Sequence, residues 1–503
     1  MSDDSALAEP FASRLVAQWL AESPDARHRR IPGTMIFADI SGFTALTERL
    51  ARRGTLGAEL MSDTLDVTFA TLLAPAFDDG ADLVKWGGDA VLLLLRGPEH
   101  AARAARVAHR MRASLRALVG ARALPVSATL RLSIGVHSGT FDAFLVGDPV
   151  SHRELIVAGP DVSRLALVEQ VCTAGQILLS ADTAAVLAPR VLGRSIEVAG
   201  SQGRLLRSCP QPQSQPQSAV PDTSADHHAS IMHTLPPGIR AHIIGGSAQP
   251  EHRPIAVAFV QFTGTDRLLA ARGARAATDA VDELVAAVQQ ACLRHGVTFF
   301  ESDIAVDGGK IMLTAGAPRS VGRDAERMLA AACAIAQHRG RLDVRVGVNV
   351  GHVFAGDLGP AARRTYSIKG DAVNLAARLL GRAEAGQVVA TTDAVERAHA
   401  DLDVEPLAPF AVKGKRAPVH AVVVRQVRTG WTAGRSETPF VGRDDEVALL
   451  HAAFAAAVDR RGSVVDVVGE PGIGKSRLIA QARTPAGMRT LVTTADGYQT
   501  DTP

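Results

Sequence analysis

One sequence pattern occurs twice in this chain of 503 residues, and the repeat limits the possible folds more than any other feature. Residues 131–139 (RLSIGVHSG) find a counterpart in residues 343–351 (DVRVGVNVG). Residues 162–176 align without a gap on residues 373–387. Self-similarity at this scale indicates two copies of one structural unit, so the fold is expected to be a pair of similar domains.

Hydrophobic periodicity gives each copy the same order of elements. From Ile31 the first copy reads as a strand, two helices, a hairpin, a helix over residues 99–118 and a further strand over residues 129–136. Hairpins combined with helices favour an α+β fold with a mainly antiparallel sheet. A short amphipathic helix is also predicted over residues 8–22, before the first copy.

Two aspartates stand at strand ends in the first copy. Asp39 ends the apolar run of MIFADISGFT (residues 35–44), and Asp89 follows the glycine pair of LVKWGGDAVLLLL (residues 83–95). Hard divalent cations prefer carboxylate oxygens, and two such groups at neighbouring strand ends would suit a magnesium site. The alternative is that Asp39 caps a helix and Asp89 is a turn residue.

These two motifs, residues 37–44 and 85–89, resemble the metal-binding signature of the class III nucleotidyl cyclases, which make cyclic AMP or cyclic GMP. The resemblance implies two ferredoxin-like α+β domains that form a pseudo-twofold pair within one chain. It also implies two Mg²⁺ or Mn²⁺ ions, bound by Asp39 and Asp89 with help from the backbone of Ile40. ATP is the implied substrate.

The two copies have lost different residues. Only the first copy keeps both candidate metal ligands, and only the second keeps an asparagine and an arginine that the family uses on the substrate. The aligned pairs are Asp39 with Gln261, Asp89 with Gly309, Asn374 with Ser163, and Arg378 with Leu167. If the copies pack as a pseudo-twofold pair, one composite site is complete and the other is degenerate. General decay of both copies is the alternative.

The resemblance assigns roles to further residues. Asn374 would orient the ribose, Arg378 would stabilise charge on the transferred phosphorus, and Lys413 would bind the terminal phosphate. Adenylyl cyclases also place a base-selecting lysine near the hairpin of the second copy, expected here at residues 305–307, where only Lys310 could replace it. Its partner position holds Ser367, whose hydroxyl can donate or accept, so adenine and guanine both stay open.

Two cations of the first copy suggest regulation. A tandem pair followed by a nucleotide-binding segment resembles the bicarbonate-responsive soluble adenylyl cyclases, in which a lysine and an arginine of the first copy bind the anion. Lys85 and Arg164 match these in kind. The alternatives are that Lys85 extends beside Trp86 and that Arg164 is a surface helix residue.

A P-loop pattern lies near the end of the sequence. A predicted strand leads into Gly469, Gly474, Lys475 and Ser476 in the spacing whose backbone amides surround phosphates. We expect the front end of an α/β P-loop NTPase here, truncated before its other parts.

Composition shifts suggest five segments. They are an N-terminal helix (1–30), a metal-binding cyclase domain (31–207), a flexible linker rich in Pro, Gln, Ser and His (208–250), a substrate-binding cyclase domain (251–428) and the truncated P-loop segment (429–503). The net charge of +2 gives no indication of nucleic-acid binding. No apolar run is long enough to insert into a membrane, and a cytoplasmic location is expected.

The leading interpretation is an adenylate cyclase with one two-metal site between its domains, with bicarbonate as a candidate regulator. One alternative is a guanylate cyclase, because base choice is weakly encoded. The other is a catalytically silent cyclase-like sensor that controls the downstream NTPase.

Overall fold

The structure is a computed structural model. It describes residues 7–51, 54–126, 128–211, 231–246, 250–398, 400–412, 417–428, 442–468, 478–479 and 481–482. The chain divides into two compact units, Met1–Arg428 and Thr429–Pro503. Both copies of the repeat lie in the first unit.

The first copy follows helix α1 (Arg14–Glu22) and forms one mixed sheet covered by helices. Its elements are β1 (His28–Ser41), α2 (Phe43–Ala51), α3 (Gly54–Asp78), β2 (Asp82–Gly87), β3 (Ala90–Leu95), α4 (His100–Gly120), β4 (Arg131–Asp148), β5 (His152–Ala158), α5 (Pro160–Val171), β6 (Ile177–Leu179), α6 (Ala181–Ala185), β7 (Leu192–Val198) and β8 (Ser201–Leu206).

The second copy repeats this plan. After helix α7 (Pro237–Ile244), its elements are β9 (Glu251–Thr263), α8 (Thr265–His295), β10 (Thr298–Ala305), β11 (Gly308–Ala315), α9 (Asp324–Ala336), β12 (Asp343–Leu358), β13 (Thr365–Lys369), α10 (Asp371–Leu379), β14 (Val388–Thr391), α11 (Thr392–Ala398), β15 (Leu402–Pro406) and β16 (Ala421–Val427).

The two sheets have the same topology. Strand order is β2-β3-β1-β4-β6-β8-β7 in the first and β10-β11-β9-β12-β14-β16-β15 in the second, with β5 and β13 paired to β4 and β12. Pairing is antiparallel except between β4 and β6 and between β12 and β14. The predicted α+β fold with two similar, mainly antiparallel sheets is therefore confirmed.

Strand register fixes which residues are equivalent in the two copies. In β1, Asp39 lies opposite Ser133 of β4 and Ala90 of β3. In β9, Gln261 lies opposite Arg345 of β12 and Lys310 of β11. Gln261 therefore occupies the position of Asp39, as the sequence alignment predicts.

The copies share buried apolar surface. Phe354 and Leu358 of the second copy belong to the core cluster of the first, and Phe144 and Val146 of the first belong to the core cluster of the second. Burial of apolar area is the main favourable term in such an association. The two copies therefore pack as one body within the first unit.

Part of the segment interpreted as a flexible linker, residues 208–250, is packed. Residues 231–246 include α7, and the side chains of Ile231, Leu235, Ile239 and Ile243 are buried in a cluster that includes residues of both copies. These apolar side chains follow the polar Pro- and Gln-rich stretch, and the linker prediction for residues 208–250 was based on the composition of that stretch. The linker interpretation is corrected for residues 231–246.

In the second unit the described part contains one helix, α12 (Asp444–Val458). The P-loop residues Gly469, Gly474, Lys475 and Ser476 lie outside the described residues. Across the parts of the chain that the structure describes, no helix is both long enough and apolar enough to cross a membrane.

Candidate functional site

The hairpin between β2 and β3 places the two candidate metal ligands side by side. Asp39, near the end of β1, pairs with Ala90, the residue after Asp89. The backbone N–H of Ile40 donates to the carbonyl oxygen of Asp89 at 3.2 Å. Gly88 turns the hairpin with φ of +67°, a conformation that favours glycine. Local turn chemistry thus holds Asp89 next to the tip of β1.

The electrostatic environment of Asp39 is typical of a cation-binding site. Burial, followed by the negative charge of Asp89, raises the pKa of Asp39 to about 7. A divalent cation between the two carboxylates would relieve their repulsion, so this pair fits such an ion. Within the described ranges, no group of three or more His, Cys, Asp or Glu side chains could hold a metal ion. The protein would therefore supply two carboxylates, and nucleotide phosphates or water would complete the ligands.

Helix α10 carries the two candidate substrate residues of the second copy. Its buried residues Ala372, Leu375, Ala376 and Leu379 have the spacing of one helical face, which packs α10 against the protein. Asn374 is partly buried, and Arg378, one turn later, is exposed. Residues four apart lie on the same side of a helix, so Asn374 and Arg378 project from the same side of α10.

One cavity brings the two copies together. Asp89 comes from the first copy and Asn374 from the second, and both line it. Its other lining residues are Phe43, Thr47, Gly87, Gly88, Phe259, Glu301, Asp303, Lys310, Met312, Ile368, Lys369, Gly370, Val373 and Ala377. The complementary halves inferred from the sequence thus face one space, although Asp39 and Arg378 are not among the lining residues.

Close approach of the copies explains one of the hairpin glycines. A Cβ atom on Gly87 would lie 3.0 Å from an oxygen of Asp303 in β10. A larger residue at this position would require the Asp303 side chain to shift. Gly87 therefore serves the contact between the copies, whereas Gly88 serves the turn.

Strand register shows which residue of the second hairpin is equivalent to Lys85 of the first. In the first copy a β-bulge precedes Lys85, which pairs with Leu92, and in the second a β-bulge precedes Glu301, which pairs with Met312. Leu92 and Met312 are equivalent by their pairing to β1 and β9. Glu301 is therefore the counterpart of Lys85, because the second hairpin is longer, and the expected base-selecting position at residues 305–307 stays a prediction.

Glu301 is a functional candidate that sequence reasoning missed. Burial raises the pKa of its carboxyl group to about 8, against the charge of Lys369 and a hydrogen bond from the backbone of Gly88. Lys310 lines the same cavity, and its charge acts on Asp303 and Glu169. Pairing the hairpins by their β-bulges instead of their glycines would have identified Glu301, but a bulge is not visible in one sequence.

Ser367 is buried in β13, two residues before Lys369. Alternate residues of a strand share one face, so Ser367 and Lys369 point to the same side of the sheet. Lys369 lines the cavity, and Ser367 is not among the lining residues. Lys413 lies outside the described residues.

In the degenerate combination, the residues that replace Asp39 and Asn374 form hydrogen bonds with other residues of the protein. The guanidinium group of Arg345 donates twice to the side-chain oxygen of Gln261, at 3.1 and 3.0 Å. The hydroxyl of Ser163 accepts from the backbone N–H of Asp307 at 2.7 Å. A cation of the protein thus stands beside the residue that replaces Asp39, which removes the reason for a metal ion there.

The two candidate anion-binding cations have separate carboxylate partners. The ammonium group of Lys85 is buried, 2.8 Å from Glu154 and 2.5 Å from the hydroxyl of Ser302. Arg164 is about half exposed and lies 3.1 Å from Asp182 on its own copy. The structure therefore does not join Lys85 and Arg164 through a common partner.

Comparisons with known proteins identify the family of the two copies. The adenylate and guanylate cyclase catalytic domain model matches residues 27–203 and 248–426, and the AAA ATPase domain model matches residues 439–503. Human adenylate cyclase type 10 is 26% identical over 151 residues, which cover 29% of this chain and 9% of that protein. An uncharacterized protein of Mycobacterium tuberculosis is 31% identical over 156 residues, covering 29% of this chain and 28% of that protein.

Similarity to a solved structure covers both copies. A class III adenylyl cyclase-like ATP-binding protein from Pseudomonas aeruginosa superposes with a TM-score of 0.52 at 14% identity, over 74% of this chain and 85% of that one. This likeness supports the fold alone. Because the cyclase domain model matches each copy and the copies line one cavity with complementary residues, the chain belongs to the adenylate and guanylate cyclase family and carries two of its catalytic domains.

Proposed function

We propose that this chain is a nucleotidyl cyclase that converts ATP into cyclic AMP and pyrophosphate at one composite site between its two copies. The observation that carries the proposal is the shared cavity, which Asp89 lines from the first copy and Asn374 from the second. In the degenerate combination, Gln261 and Ser163 are engaged by the protein itself. One site per chain is therefore expected.

Asp39 and Asp89 would hold the Mg²⁺ or Mn²⁺ ions that the family uses, with the backbone of Ile40 beside them. Bound ions would neutralise phosphate charge and favour attack by the ribose oxygen. The protein residues provide position and charge around this centre. Asn374 would hold the ribose, and Arg378 would stabilise negative charge that develops as the 3′-oxygen bonds to the α-phosphorus and pyrophosphate leaves.

The state of Glu301 supports adenine as the base. With a pKa of about 8, its carboxyl group is largely protonated at pH 7, so it offers one O–H donor and one carbonyl acceptor. The pairing edge of adenine offers the complementary acceptor and amino donor. The similar adenylate cyclase type 10 proteins agree with this choice, although this chain matches only 9% of the human protein's length.

A guanylate cyclase is the second candidate, and the same residue supports it. An ionised Glu301 presents only acceptors, and guanine offers two neighbouring N–H donors on its pairing edge. Base choice would then depend on the protonation of one carboxyl group. The third candidate is a catalytically silent sensor, which would bind the nucleotide in the same cavity without forming product.

Bicarbonate regulation is the part of the sequence interpretation that these contacts favour least. Lys85 already has an anionic partner, because Glu154 lies 2.8 Å away and both side chains are buried. An added anion would have to displace this carboxylate. We therefore propose that bicarbonate acts on this chain only in competition with Glu154, and that Glu154→Gln responds to bicarbonate more strongly than the parent.

Product analysis tests the proposal directly. The purified chain is incubated with Mn²⁺ or Mg²⁺ and with ATP or GTP, and cyclic nucleotide and pyrophosphate are quantified together. Equal amounts of cyclic AMP and pyrophosphate from ATP, lost in Asp89→Asn, are the expected result. Tight ATP binding without either product would establish the sensor, and cyclic GMP as the main product would establish the second candidate.

A further inference from the structure

Lys369 is a buried cation at the junction of β13 and α10, and neither the sequence interpretation nor the proposed mechanism gives it a role. Only 6% of its surface is exposed. Its equivalent in the first copy is Ala158, because Lys369 pairs with Phe354 and Ala158 pairs with Asp142 at matching register positions. The lysine is therefore specific to the composite site and absent from the degenerate one.

The side chain of Lys369 extends to the first copy and contacts the hairpin between β2 and β3, which carries Asp89. Its ammonium group donates to the carbonyl oxygen of Gly88, the residue before Asp89. It also lies 5.9 Å from the centre of the Phe69 ring in α3, a distance at which the ring attracts a cation. Both contacts belong to the first copy, so Lys369 links the substrate half of the site to its metal half.

Three carboxyl groups act electrostatically on this ammonium group. Burial lowers the pKa of Lys369, and the negative charges of Asp89, Glu301 and Asp39 act in the opposite direction. Two of these three are the proposed metal ligands. A lysine with both of them as electrostatic neighbours partly neutralises the charge that would attract a divalent cation.

We propose that Lys369 is a built-in cation that competes with divalent ions for the Asp39 and Asp89 pair, so that metal ions bind tightly only together with the nucleotide phosphates. The inference rests on the proposed function, since it concerns the regulation of the same site. Lys369 is a positioning residue here, because it acts through the carboxylates and the hairpin.

Charge balance is the physical reason. Even with both carboxyl groups ionised, the ammonium group leaves the pair a single net negative charge, and a buried ammonium group repels an incoming divalent cation with little screening by solvent. Nucleotide phosphates add negative charge and reverse this balance. Without nucleotide the hairpin is held by Lys369, and with nucleotide the phosphates help the carboxylates to hold the ions.

Direct measurement of Mn²⁺ binding tests this without relying on turnover. The full chain is titrated with Mn²⁺ and the free ion is followed by electron paramagnetic resonance, with and without 2′,3′-dideoxy-ATP, which cannot cyclise. Lys369→Met removes the charge, and Lys369→Gln removes it but keeps an N–H donor for Gly88. Lys369→Arg keeps the charge.

Without nucleotide, we expect both neutral variants to bind Mn²⁺ at least about tenfold more tightly than the parent, and Lys369→Arg to bind as weakly as the parent. Lys310→Met is the matched control, because this lysine lines the same cavity but acts on Asp303 and Glu169. Its Mn²⁺ affinity should stay within about twofold of the parent. With dideoxy-ATP present, the advantage of the neutral variants should shrink.

Unchanged or weaker Mn²⁺ binding in both neutral variants would overturn the inference, and near-ultraviolet circular dichroism confirms that they are folded. Asp39→Asn separates this failure from failure of the proposed function. If Asp39→Asn weakens Mn²⁺ binding with dideoxy-ATP while the neutral variants match the parent, only the role of Lys369 is wrong. If Asp39→Asn binds like the parent, the metal pair and the inference both fail.

Discussion

At the scale of single residues, the composite site depends on charged groups whose counterparts in the other copy have been replaced. The charge of Asp89 acts on Asp39, and the equivalent Gln261 accepts hydrogen bonds from Arg345. A charge that is kept in one copy and neutralised in the other indicates a role in chemistry, because packing alone would serve both copies equally.

Removing either metal carboxylate should abolish product formation. We expect Asp39→Asn and Asp89→Asn each to lower kcat by more than about 100-fold, because each removes one of the two carboxylates proposed to bind the ions. Cyclic nucleotide released per enzyme per minute is the measurement. Ser163→Ala in the degenerate combination is the control, and activity in Asp39→Asn close to that of the parent would contradict the assignment.

Arg378 is expected to act in the transition state. Arg378→Ala should lower kcat and kcat/KM together by about 10²- to 10³-fold, because charge develops on the phosphate only as the bond to pyrophosphate breaks. The mirror substitution, Leu167→Ala, should leave both constants nearly unchanged. A rise in KM with unchanged kcat would make Arg378 a binder of the ground-state phosphates.

Glu301 should make base preference depend on pH. Its pKa is raised to about 8, so the neutral form dominates below this pH and the ionised form above it. The ratio of kcat/KM for ATP to that for GTP should therefore fall by up to about 100-fold between pH 7 and pH 9, because the ratio of neutral to ionised Glu301 falls by that factor. In Glu301→Gln, which cannot ionise, the ratio should be flat over this range, and an equally steep fall there would exclude Glu301 as its origin.

At the scale of elements, a buried ion pair ties three strands from both copies. Lys85 of β2 meets Glu154 of β5, and the hydroxyl of Ser302 in β10 donates to the same carboxylate at 2.5 Å. Burial acts to raise the pKa of Glu154, but Lys85 and His152 outweigh it and hold the pKa at about 2. The Glu154 carboxylate is therefore ionised throughout the physiological range.

Breaking this pair should destabilise the protein strongly. Glu154→Ala leaves the Lys85 charge buried and unpaired, which typically costs about 3–5 kcal/mol of unfolding free energy. Urea denaturation of the parent and the variant measures the difference. The exposed pair of Arg397 and Asp393 is the control, because Asp393→Ala should cost less than about 1 kcal/mol. If both variants lose a similarly small unfolding free energy, water must solvate the Lys85 charge once Glu154 is removed, and the expectation is wrong.

At the scale of the whole molecule, the two copies are expected to depend on each other for activity. Each copy contributes apolar side chains to the core of the other, and each lines the cavity with residues that the other lacks. We therefore expect the two copies to depend on each other as the two different subunits of a dimer do, although one chain contains both.

Separating the copies tests this dependence. Residues 1–211 and 231–428, expressed alone, should be inactive, and co-expression should restore cyclic nucleotide synthesis, because the cavity needs Asp89 from one piece and Asn374 from the other. Activity and gel filtration of the purified pieces and of the pair are the measurements. Full activity of residues 1–211 alone would mean that two molecules of this piece associate into an active pair and that Asn374 is dispensable.

The sequence by itself determined the features that depend on short stretches of chain. The repeat, the α+β class, the placement of Asp39 and Asp89 at strand ends and the spacing of Asn374 and Arg378 on one helix all follow from local patterns. Strand alternation and helical periodicity act over a few residues, so one sequence is enough to show them. The alignment of Asp39 with Gln261 was readable for the same reason.

Only the tertiary structure decided which distant groups meet. Lys369 reaches Gly88 across 281 positions of sequence, and Ser302 meets Glu154 across 148. A β-bulge and a longer hairpin make Glu301 the counterpart of Lys85, and the packing of strands gives Lys85 a carboxylate partner. These contacts depend on strand register and on the association of two domains, where a shift of one residue changes every partner. No local pattern records that choice.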